Sequence, residues 1–407
     1  MSSRKQFYIL NSLAIIIFVL AWFWLDLELS ERAMFFGADS KDYLHVANWM
    51  FYGEETMFTA TRPLLYPLLM GIPYALFGVT GVFLLHVACW LITINLTFLT
   101  VKKWTGNSVV AWGAAVVIVL NLSLIALIFQ GLTELVTTAL LSILCYHVVS
   151  YRGKFNHIRF GQKLLLLLVL LTLVKPSFYY PTLFTLVILL FAYRKQYRLN
   201  PKKLIYPVLI VVPILLQMTL VQVRHGSFTV SKIGGLTFTN YYFSQCVQKI
   251  EGLEDNQTAI AFSETMNSDQ KRDYMLAHKG VFGVQFIENI VLNVKAGPSF
   301  LVMEPKQKPP SAYAYMHDYN LLSLLIHLVG SALLALLFLM AFFKRDKQIW
   351  IPLFIIGGIS SYYIFITGLS FWQGDRLVLP SIALWVPLYA VLFTSVGSRI
   401  LARLKGN

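Results

Sequence analysis

Long apolar segments alternate with shorter polar ones along most of this chain. A helix needs roughly 20 apolar residues to cross about 30 Å of hydrocarbon, and about ten segments approach that length. They cover residues 8–25, 82–101, 108–128, 131–150, 163–176, 178–193, 203–222, 319–343, 348–367 and 376–396. The pattern predicts an all-α integral membrane protein, with about ten transmembrane helices in a single polytopic domain over residues 1–407.

The fifth and sixth of these segments are short and belong to one continuous apolar block. Lys175-Pro176-Ser177 and Pro181 interrupt the block. Proline removes a backbone donor and clashes with the preceding helical turn, so a break is expected near this point. Residues 163–193 form either two separate helices or one kinked or re-entrant element, and the sequence leaves both interpretations open.

Two polar stretches are longer than the other connections, residues 26–81 and residues 223–318. The first predicts two juxtamembrane helices. Asp39 or Ser40 would cap one that ends at Gly53, and Arg62-Pro63 would begin the other. The second stretch is too long for a simple connector, so we expect it to be ordered and functional.

Composition agrees with a membrane protein. Hydrophobic residues make up 57% of the chain and charged residues 13%, and the mean hydropathy is +0.66. An ordinary soluble domain with a charged surface is excluded by these values, because such domains carry about 25% charged residues. The lipid bilayer is therefore the first partner that the sequence predicts.

The net charge of +14 has a topological explanation. More than half of the 33 Lys and Arg fall in clusters on one predicted side, at residues 4–5, 102–103, 152–163, 194–203, 344–347 and 399–405. This is the positive-inside pattern, so we expect both termini to be cytoplasmic in a multi-pass protein of a bacterial inner or plasma membrane. Residues 26–81 and 223–318 then lie on the external face. No nucleic-acid partner is needed to explain the charge.

Asp39 lies just outside the first span, where a carboxylate can act on a polar group of a membrane-borne substrate. It is a candidate general base, and the alternative is a helix cap. Arg62, Arg224 and Arg376 lie at or near the external interface and suit an anionic phosphate, unless they only contact lipid headgroups. Lys175 lies within an apolar block, where charge is costly and often marks a site.

Glu134, near the outer start of the fourth span, raises the same question as Lys175. The two residues are either members of a site or partners in a structural ion pair. Cys89, Cys145 and Cys246 show no metal-ligand spacing and no evident disulfide pairing. Histidine spacing indicates no metal site, so no cofactor is predicted, although a divalent metal stays open. Motifs for nucleotide binding or for an esterase nucleophile are lacking.

Several short motifs follow one another in a recognisable order. In the first polar stretch they are Gly37-Ala38-Asp39-Ser40, Tyr43-Leu44, Ala47, Gly53 and Arg62-Pro63-Leu64-Leu65-Tyr66-Pro67-Leu68-Leu69. Further on they are Thr133-Glu134-Leu135, Leu173-Val174-Lys175-Pro176-Ser177, Arg224-His225-Gly226 and Asp375-Arg376 with Leu379-Pro380. Together they resemble the GT-C glycosyltransferases, the integral-membrane enzymes that include protein O-mannosyltransferases and the aminoarabinose transferases of lipid A.

The resemblance implies a glycosyltransferase that moves a sugar from a polyprenyl-phosphate donor to an acceptor hydroxyl at the external face, with inversion. Asp39 matches the family's first-loop Asp and would be the general base. Arg62 would contact the donor phosphate, with Arg376 as second choice and Lys175 in the place of a family arginine. The remaining candidates, for substrate binding or structure, are Asp42, Tyr43, Glu134, Arg224 and Asp375.

The chain departs from the family pattern at two positions in the first polar stretch. Ser40 stands where many relatives have a second acid, and Pro63-Leu64 replaces two prolines. The acceptor therefore stays open among a glycan, a lipid and a protein.

Two other functions remain open. A polysaccharide polymerase or O-antigen ligase also combines many helices with one large external loop, but its chemistry depends on basic residues and a histidine in that late loop. A membrane transporter or lipid flippase would use Lys175 and Glu134 as pathway residues. The lack of an internal repeat in the sequence is evidence against the transporter.

Overall fold

A computed structural model describes residues 3–295, 310–370 and 374–404. The described residues are mostly helical and contain no β-strand, so the all-α prediction is confirmed. The first half contains α1 (Ser3–Trp24), α2 (Glu31–Met34), α3 (Ala38–Tyr52), α4 (Leu65–Phe77), α5 (Val79–Thr105), α6 (Ser108–Val119), α7 (Leu122–Leu127), α8 (Glu134–Ser150), α9 (Ile158–Val174) and α10 (Tyr179–Ala192).

The second half continues the helical series. It contains α11 (Arg194–Leu199), α12 (Ile205–His225), α13 (Ile233–Phe238), α14 (Ser244–Glu251), α15 (Asn256–Thr265), α16 (Ser268–Ala277), α17 (Lys279–Lys295), α18 (Pro310–Phe343), α19 (Lys347–Ile366) and α20 (Ile382–Leu404). Short helical turns lie at Pro176–Phe178, Pro201–Leu204, Thr239–Phe243, Thr367–Leu369, Gly374–Leu377 and Leu379–Ser381.

Within the described ranges, 5 helices are long and apolar enough to cross a membrane. They are α1, α5, α12, α18 and α19. Shorter apolar helices include α4, α6, α8, α10 and α20. The protein is thus built as a multi-pass membrane protein, while a count of ten spans stays a prediction.

One predicted span is interrupted in the structure, and the block with two open interpretations divides into two helices. The segment 108–128 is not one helix, because α6 ends before Leu120 and α7 begins after Asn121. Asn121 caps α7, and its side chain accepts a hydrogen bond from Leu124 N at 2.9 Å. The block 163–193 forms two helices, α9 and α10. Lys175 between them is extended, as expected for a residue before proline.

The first polar stretch contains the two predicted helices, with one error at the cap. Helix α3 begins at Ala38 with Gly37 as N-cap and has no side-chain cap, so the capping role predicted for Asp39 or Ser40 is wrong. Ser40 Oγ instead donates to Gly37 O at 2.7 Å. Gly53 ends α3 in the left-handed conformation, φ 74°, that glycine adopts without strain. Helix α4 begins at Leu65, slightly later than Arg62-Pro63 suggested.

Helix α5 is central to the core. It packs against α4, α6, α8 and α20. Its inward face carries Trp90, Ile94 and Phe98, all fully buried in one continuous hydrophobic cluster with residues of α1, α7 and α8. These buried apolar contacts hold α5 in the core, and the polar segments connect the helices that pack around it.

The junction of α4 and α5 is tightly packed at Gly81. A methyl group there would lie 2.0 Å from the Pro73 carbonyl oxygen, a backbone atom that cannot move aside cheaply. We expect Gly81→Ala to destabilise the protein by about 1–3 kcal/mol through overpacking. Gly113→Ala on α6 is the matched control, because nothing lies within 4 Å of the added methyl. Thermal unfolding in detergent should separate the two, and equal midpoints would contradict this packing.

The described part of the late polar stretch forms helices α13 to α17. Residues 296–309 of the predicted stretch 223–318 lie outside the described residues. The side chain of Asn289 on α17 donates to Gly368 O at 3.1 Å, and that of Asn293 donates to Thr367 O at 3.0 Å and to Ser370 O at 2.9 Å. These bonds attach α17 to the end of α19, next to the segment that carries Arg376.

Candidate active site

One cavity of about 680 Å³ collects most of the charged residues that the sequence singled out. Its walls come from α3, the Arg62-Pro63 segment, the start of α8, the connection between α9 and α10, residues 229–241, the end of α19 and the Arg376 turn. The lining includes seven of the predicted residues: Asp39, Asp42, Tyr43, Arg62, Glu134, Lys175 and Arg376.

The Asp39 carboxylate lies between two guanidinium groups. Arg62 Nη2 is 2.6 Å from Asp39 Oδ1, and Arg376 Nη2 donates to Asp39 Oδ2. Arg62 Nη2 also lies 2.7 Å from Asp42 Oδ2. Both arginines are buried, so these are charge-assisted contacts in a low-dielectric setting. The cluster joins the first polar stretch to the segment before α20.

Helix periodicity explains how α3 presents this cluster. Asp39, Asp42 and Tyr43 are three and four residues apart, so they share one face of the helix. The Arg62 guanidinium lies over the Tyr43 ring, 5.0 Å from its centroid. Tyr43 in turn packs edge-to-face on Tyr66, whose hydroxyl is 3.2 Å from His86 Nε2. The charged cluster therefore packs on a layer of buried aromatic side chains, Tyr43, Tyr66 and His86.

The segment that carries Arg62 is held by α12 and the residues after it. Gln217 accepts from Leu64 N at 3.2 Å and donates to Val230 O at 3.2 Å. Ser231 Oγ donates to Thr61 O at 2.9 Å. Sequence reasoning missed Gln217, although an amide that follows a long apolar run on α12 is a signal that the sequence shows.

Asp375 lies outside the cavity and fixes the turn that presents Arg376. Its carboxylate accepts hydrogen bonds from Ser123 Oγ and, at 3.1 Å, from Asn320 Nδ2. The turn Gly374–Leu377 is thereby attached to the segment after Asn121 and to α18. Asp375 is a positioning residue in this arrangement.

Lys175 and Glu134 form an ion pair, and both side chains line the cavity. Lys175 Nζ is 3.3 Å from Glu134 Oε1 and 5.6 Å from the centroid of the Tyr363 ring. The sequence left a choice between an ion pair and a site, and the structure brings the pair into the site.

Arg224 is separate from this cluster. It is exposed, pairs with Glu55 at 2.8 Å and lies 5.9 Å from the centroid of the Trp49 ring. The described residues that line the cavity do not include it.

The electrostatics of the site keep Asp39 ionised. Burial alone would raise the pKa of Asp39, but the Arg376 and Arg62 guanidiniums outweigh burial and hold the pKa well below its usual range. Over the part of the chain that the structure describes, no group of three or more His, Cys, Asp or Glu side chains is placed to hold a metal ion. The acids of the cavity contact basic side chains instead.

Much of the remaining lining is uncharged and was missed at the sequence level. It includes Tyr179, Tyr180, Asn240, Tyr362 and Ser370. Tyrosines at the ends of membrane helices fit interfacial belts equally well, so the sequence alone gave no reason to place these in a cavity.

Comparison with known proteins identifies the fold. Neither a family model nor a curated protein sequence matches the chain. The crystal structure of ArnT from Cupriavidus metallidurans bound to undecaprenyl phosphate is similar, with a TM-score of 0.52 and 12% identity over 99% of this chain and 64% of that one. This chain thus spans less than two thirds of that ArnT chain.

The apo-state crystal structure of the same ArnT is also similar, with a TM-score of 0.42 and 12% identity over 98% of this chain and 78% of that one. Because the identity is only 12%, the similarity to the undecaprenyl-phosphate-bound structure concerns the fold alone. The chain has the membrane fold of ArnT, a GT-C lipid A aminoarabinose transferase.

Proposed function

We propose that this protein is a membrane glycosyltransferase that moves a sugar from a polyprenyl-phosphate carrier to an acceptor hydroxyl, with inversion at the sugar. The observation that carries the proposal is the convergence of two buried arginines on one carboxylate inside the cavity. The fold of a protein whose structure contains undecaprenyl phosphate adds support.

The arginine pair suits a phosphate leaving group. Guanidinium groups bind carboxylate and phosphate oxygens with the same planar geometry, so a phosphate can take the place of the Asp39 carboxylate. Arg62 Nε is buried and has no hydrogen-bond partner among the described residues, which leaves a donor for an incoming oxygen. Lys175 adds a third positive charge to the same cavity.

In the proposed reaction the donor phosphate binds first and draws Arg62 and Arg376 away from Asp39. The released carboxylate then accepts the proton of the acceptor hydroxyl. The hydroxyl oxygen attacks the anomeric carbon from the face opposite the phosphate, and the bond from that carbon to the phosphate oxygen breaks. Its electron pair stays on the polyprenyl phosphate, whose added charge the arginines stabilise.

The proposed topology follows from charge distribution. The basic clusters favour cytoplasmic termini in a bacterial inner membrane, with the cavity opening towards the external face. A lipid-borne donor reaches such a cavity from the bilayer, and the acceptor, a glycan, a lipid or a protein, approaches from outside.

The mechanism predicts different pH profiles for the two kinetic constants. kcat/KM for the donor reports the free enzyme, where the pKa of Asp39 is lowered, so its acid limb should lie below about pH 4. kcat reports the bound complex, where the phosphate shares the arginine charge and the pKa of Asp39 is higher. The base works only when ionised, so kcat should fall with acid at a higher pH. Coincident acid limbs would contradict release of Asp39 by the donor.

A direct test measures release of polyprenyl phosphate and appearance of glycosylated product in membranes that contain the full chain. Sugar-dependent transfer supports the proposal. Flux of a lipid-linked sugar across proteoliposomes without any glycosyl product would instead favour a transporter or flippase. The polymerase or ligase alternative predicts catalysis from a pyrophosphate carrier, so a pyrophosphate-linked donor belongs in the same assay.

A further inference from the structure

The cavity has an uncharged part beside its charged cluster. This part includes the tyrosines Tyr179, Tyr180 and Tyr362 and the small polar residues Ser177, Thr237, Asn240 and Ser370. Aromatic faces with a few fixed polar groups are the usual lining of a site for a small organic ligand. The polyprenyl phosphate itself offers only a charged group and a hydrocarbon chain, so it leaves these polar groups unexplained.

Three polar atoms in this part of the cavity are buried and have no hydrogen-bond partner among the residues that the structure describes. They are Ser177 Oγ, Asn240 Oδ1 and Ser370 Oγ. The Ser370 residue is only 6% exposed. Buried polar atoms are nearly always hydrogen-bonded in proteins, so three unsatisfied atoms along one cavity indicate a ligand with hydroxyl groups.

The three groups belong to segments that the fold brings to the end of α19. Tyr362 near the end of α19 donates its hydroxyl to Ser177 O at 2.6 Å. The helical turn Thr239–Phe243, which carries Asn240, packs against the turn Thr367–Leu369. Ser370 follows that turn directly and is fixed through its carbonyl by Asn293. All three therefore surround the end of α19.

The charges of the cavity are already matched. Among its described lining residues the acids are Asp39, Asp42 and Glu134, and the bases are Arg62, Lys175 and Arg376. Each of these acids contacts at least one of the bases, and Asp39 contacts both arginines. A donor phosphate consumes positive charge, so none of these bases is spare for an anionic sugar. Among the described lining residues, the uncharged part of the cavity carries no acid of its own to meet a cationic sugar.

We infer that the sugar moved by this protein is uncharged and that Ser177, Asn240 and Ser370 form its subsite. This inference rests on the proposed function and adds the chemical class of the sugar. A protonated amine or a carboxylate on the sugar would lose its hydration in this part of the cavity without an opposite charge, which strongly disfavours binding. A neutral sugar instead satisfies the three groups with its hydroxyls and stacks on the tyrosines.

The test compares the affinity of the purified full chain for a set of carriers. The set comprises bare undecaprenyl phosphate and the same carrier bearing glucose, mannose, galactose, glucosamine or glucuronic acid, at a pH where the amine is protonated. We expect at least one neutral sugar to bind about tenfold or more tightly than both charged sugars. Equal affinity for glucosamine or glucuronic acid would overturn the inference.

Variants locate the subsite. Ser370→Ala and Asn240→Ala should each weaken the preferred neutral donor by about tenfold and leave the affinity for bare undecaprenyl phosphate unchanged, which also shows that the variants are folded. Asn240→Asp should raise the affinity for the glucosamine-bearing carrier relative to the carrier with the neutral sugar, because the new carboxylate can pair with the protonated amine. Ser361→Ala, at an exposed serine of α19 outside the cavity, is the matched control.

Two results separate this inference from the proposed function. If the bare carrier binds but Ser370→Ala and Asn240→Ala leave every sugar-bearing donor unaffected, the subsite is overturned and the glycosyltransferase proposal stands. If bare undecaprenyl phosphate does not bind at all, the proposed function is overturned, and the subsite with it.

Discussion

Replacing Asp39 by Asn is expected to lower kcat for sugar transfer by about 10²- to 10⁴-fold, the contribution of a general base. The amide keeps the size and shape of the side chain but cannot take the acceptor proton. Donor affinity should stay the same or improve, because Arg62 and Arg376 no longer hold a competing carboxylate. The expected loss is therefore in kcat and not in donor binding.

Asp42→Asn provides the matched control for this variant. Asp42 is buried in the same cavity and contacts Arg62 at 2.7 Å, but no ion pair joins it to Arg376 among the described residues. We expect transfer to fall by about tenfold or less, the effect of losing one charged hydrogen-bond partner. Transfer and donor affinity would be measured side by side for both variants. Near-wild-type turnover in Asp39→Asn would remove Asp39 as the base.

The sequence predicted the charged half of the site because charge is costly in an apolar chain. Asp39, Arg62 and Arg376 are conspicuous in this composition, and the structure places them in contact. That contact could not be predicted from spacing, since Arg376 is far along the chain and is positioned by Asp375 through Ser123 and α18. The roles of the three residues stay predictions until transfer is measured.

The uncharged half of the site carried no comparable signal. Ser177, Asn240 and Ser370 belong to residue types that are common in turns, and only the fold shows that their polar atoms are buried along one cavity. The helices were predictable from long apolar segments, whereas their ends depended on single contacts. Asn121 divides the segment 108–128 by capping α7, an effect that a window of average hydropathy does not detect.

Arg62→Lys is expected to weaken donor binding by about 10- to 100-fold while the protein remains folded. Lysine keeps the positive charge but cannot contact Asp39, Asp42 and a phosphate with a planar set of donors. Arg224→Ala is the matched control, because Arg224 is an exposed arginine that does not line the cavity and pairs with Glu55 at 2.8 Å. Exposed pairs contribute about 0–1 kcal/mol, so donor binding should barely change.

Complete removal of the Arg62 guanidinium can be interpreted only when a second substitution is made with it. Arg62→Ala leaves the buried Asp42 carboxylate without its partner, and breaking a buried pair in this way costs about 3–5 kcal/mol of stability. Arg62→Ala combined with Asp42→Asn removes that unpaired charge and isolates the effect on the donor. Binding of undecaprenyl phosphate to the double variant should fall at least as far as in Arg62→Lys. Unchanged affinity in a folded double variant would exclude Arg62 as a phosphate ligand and leave Arg376 and Lys175 to hold the leaving group.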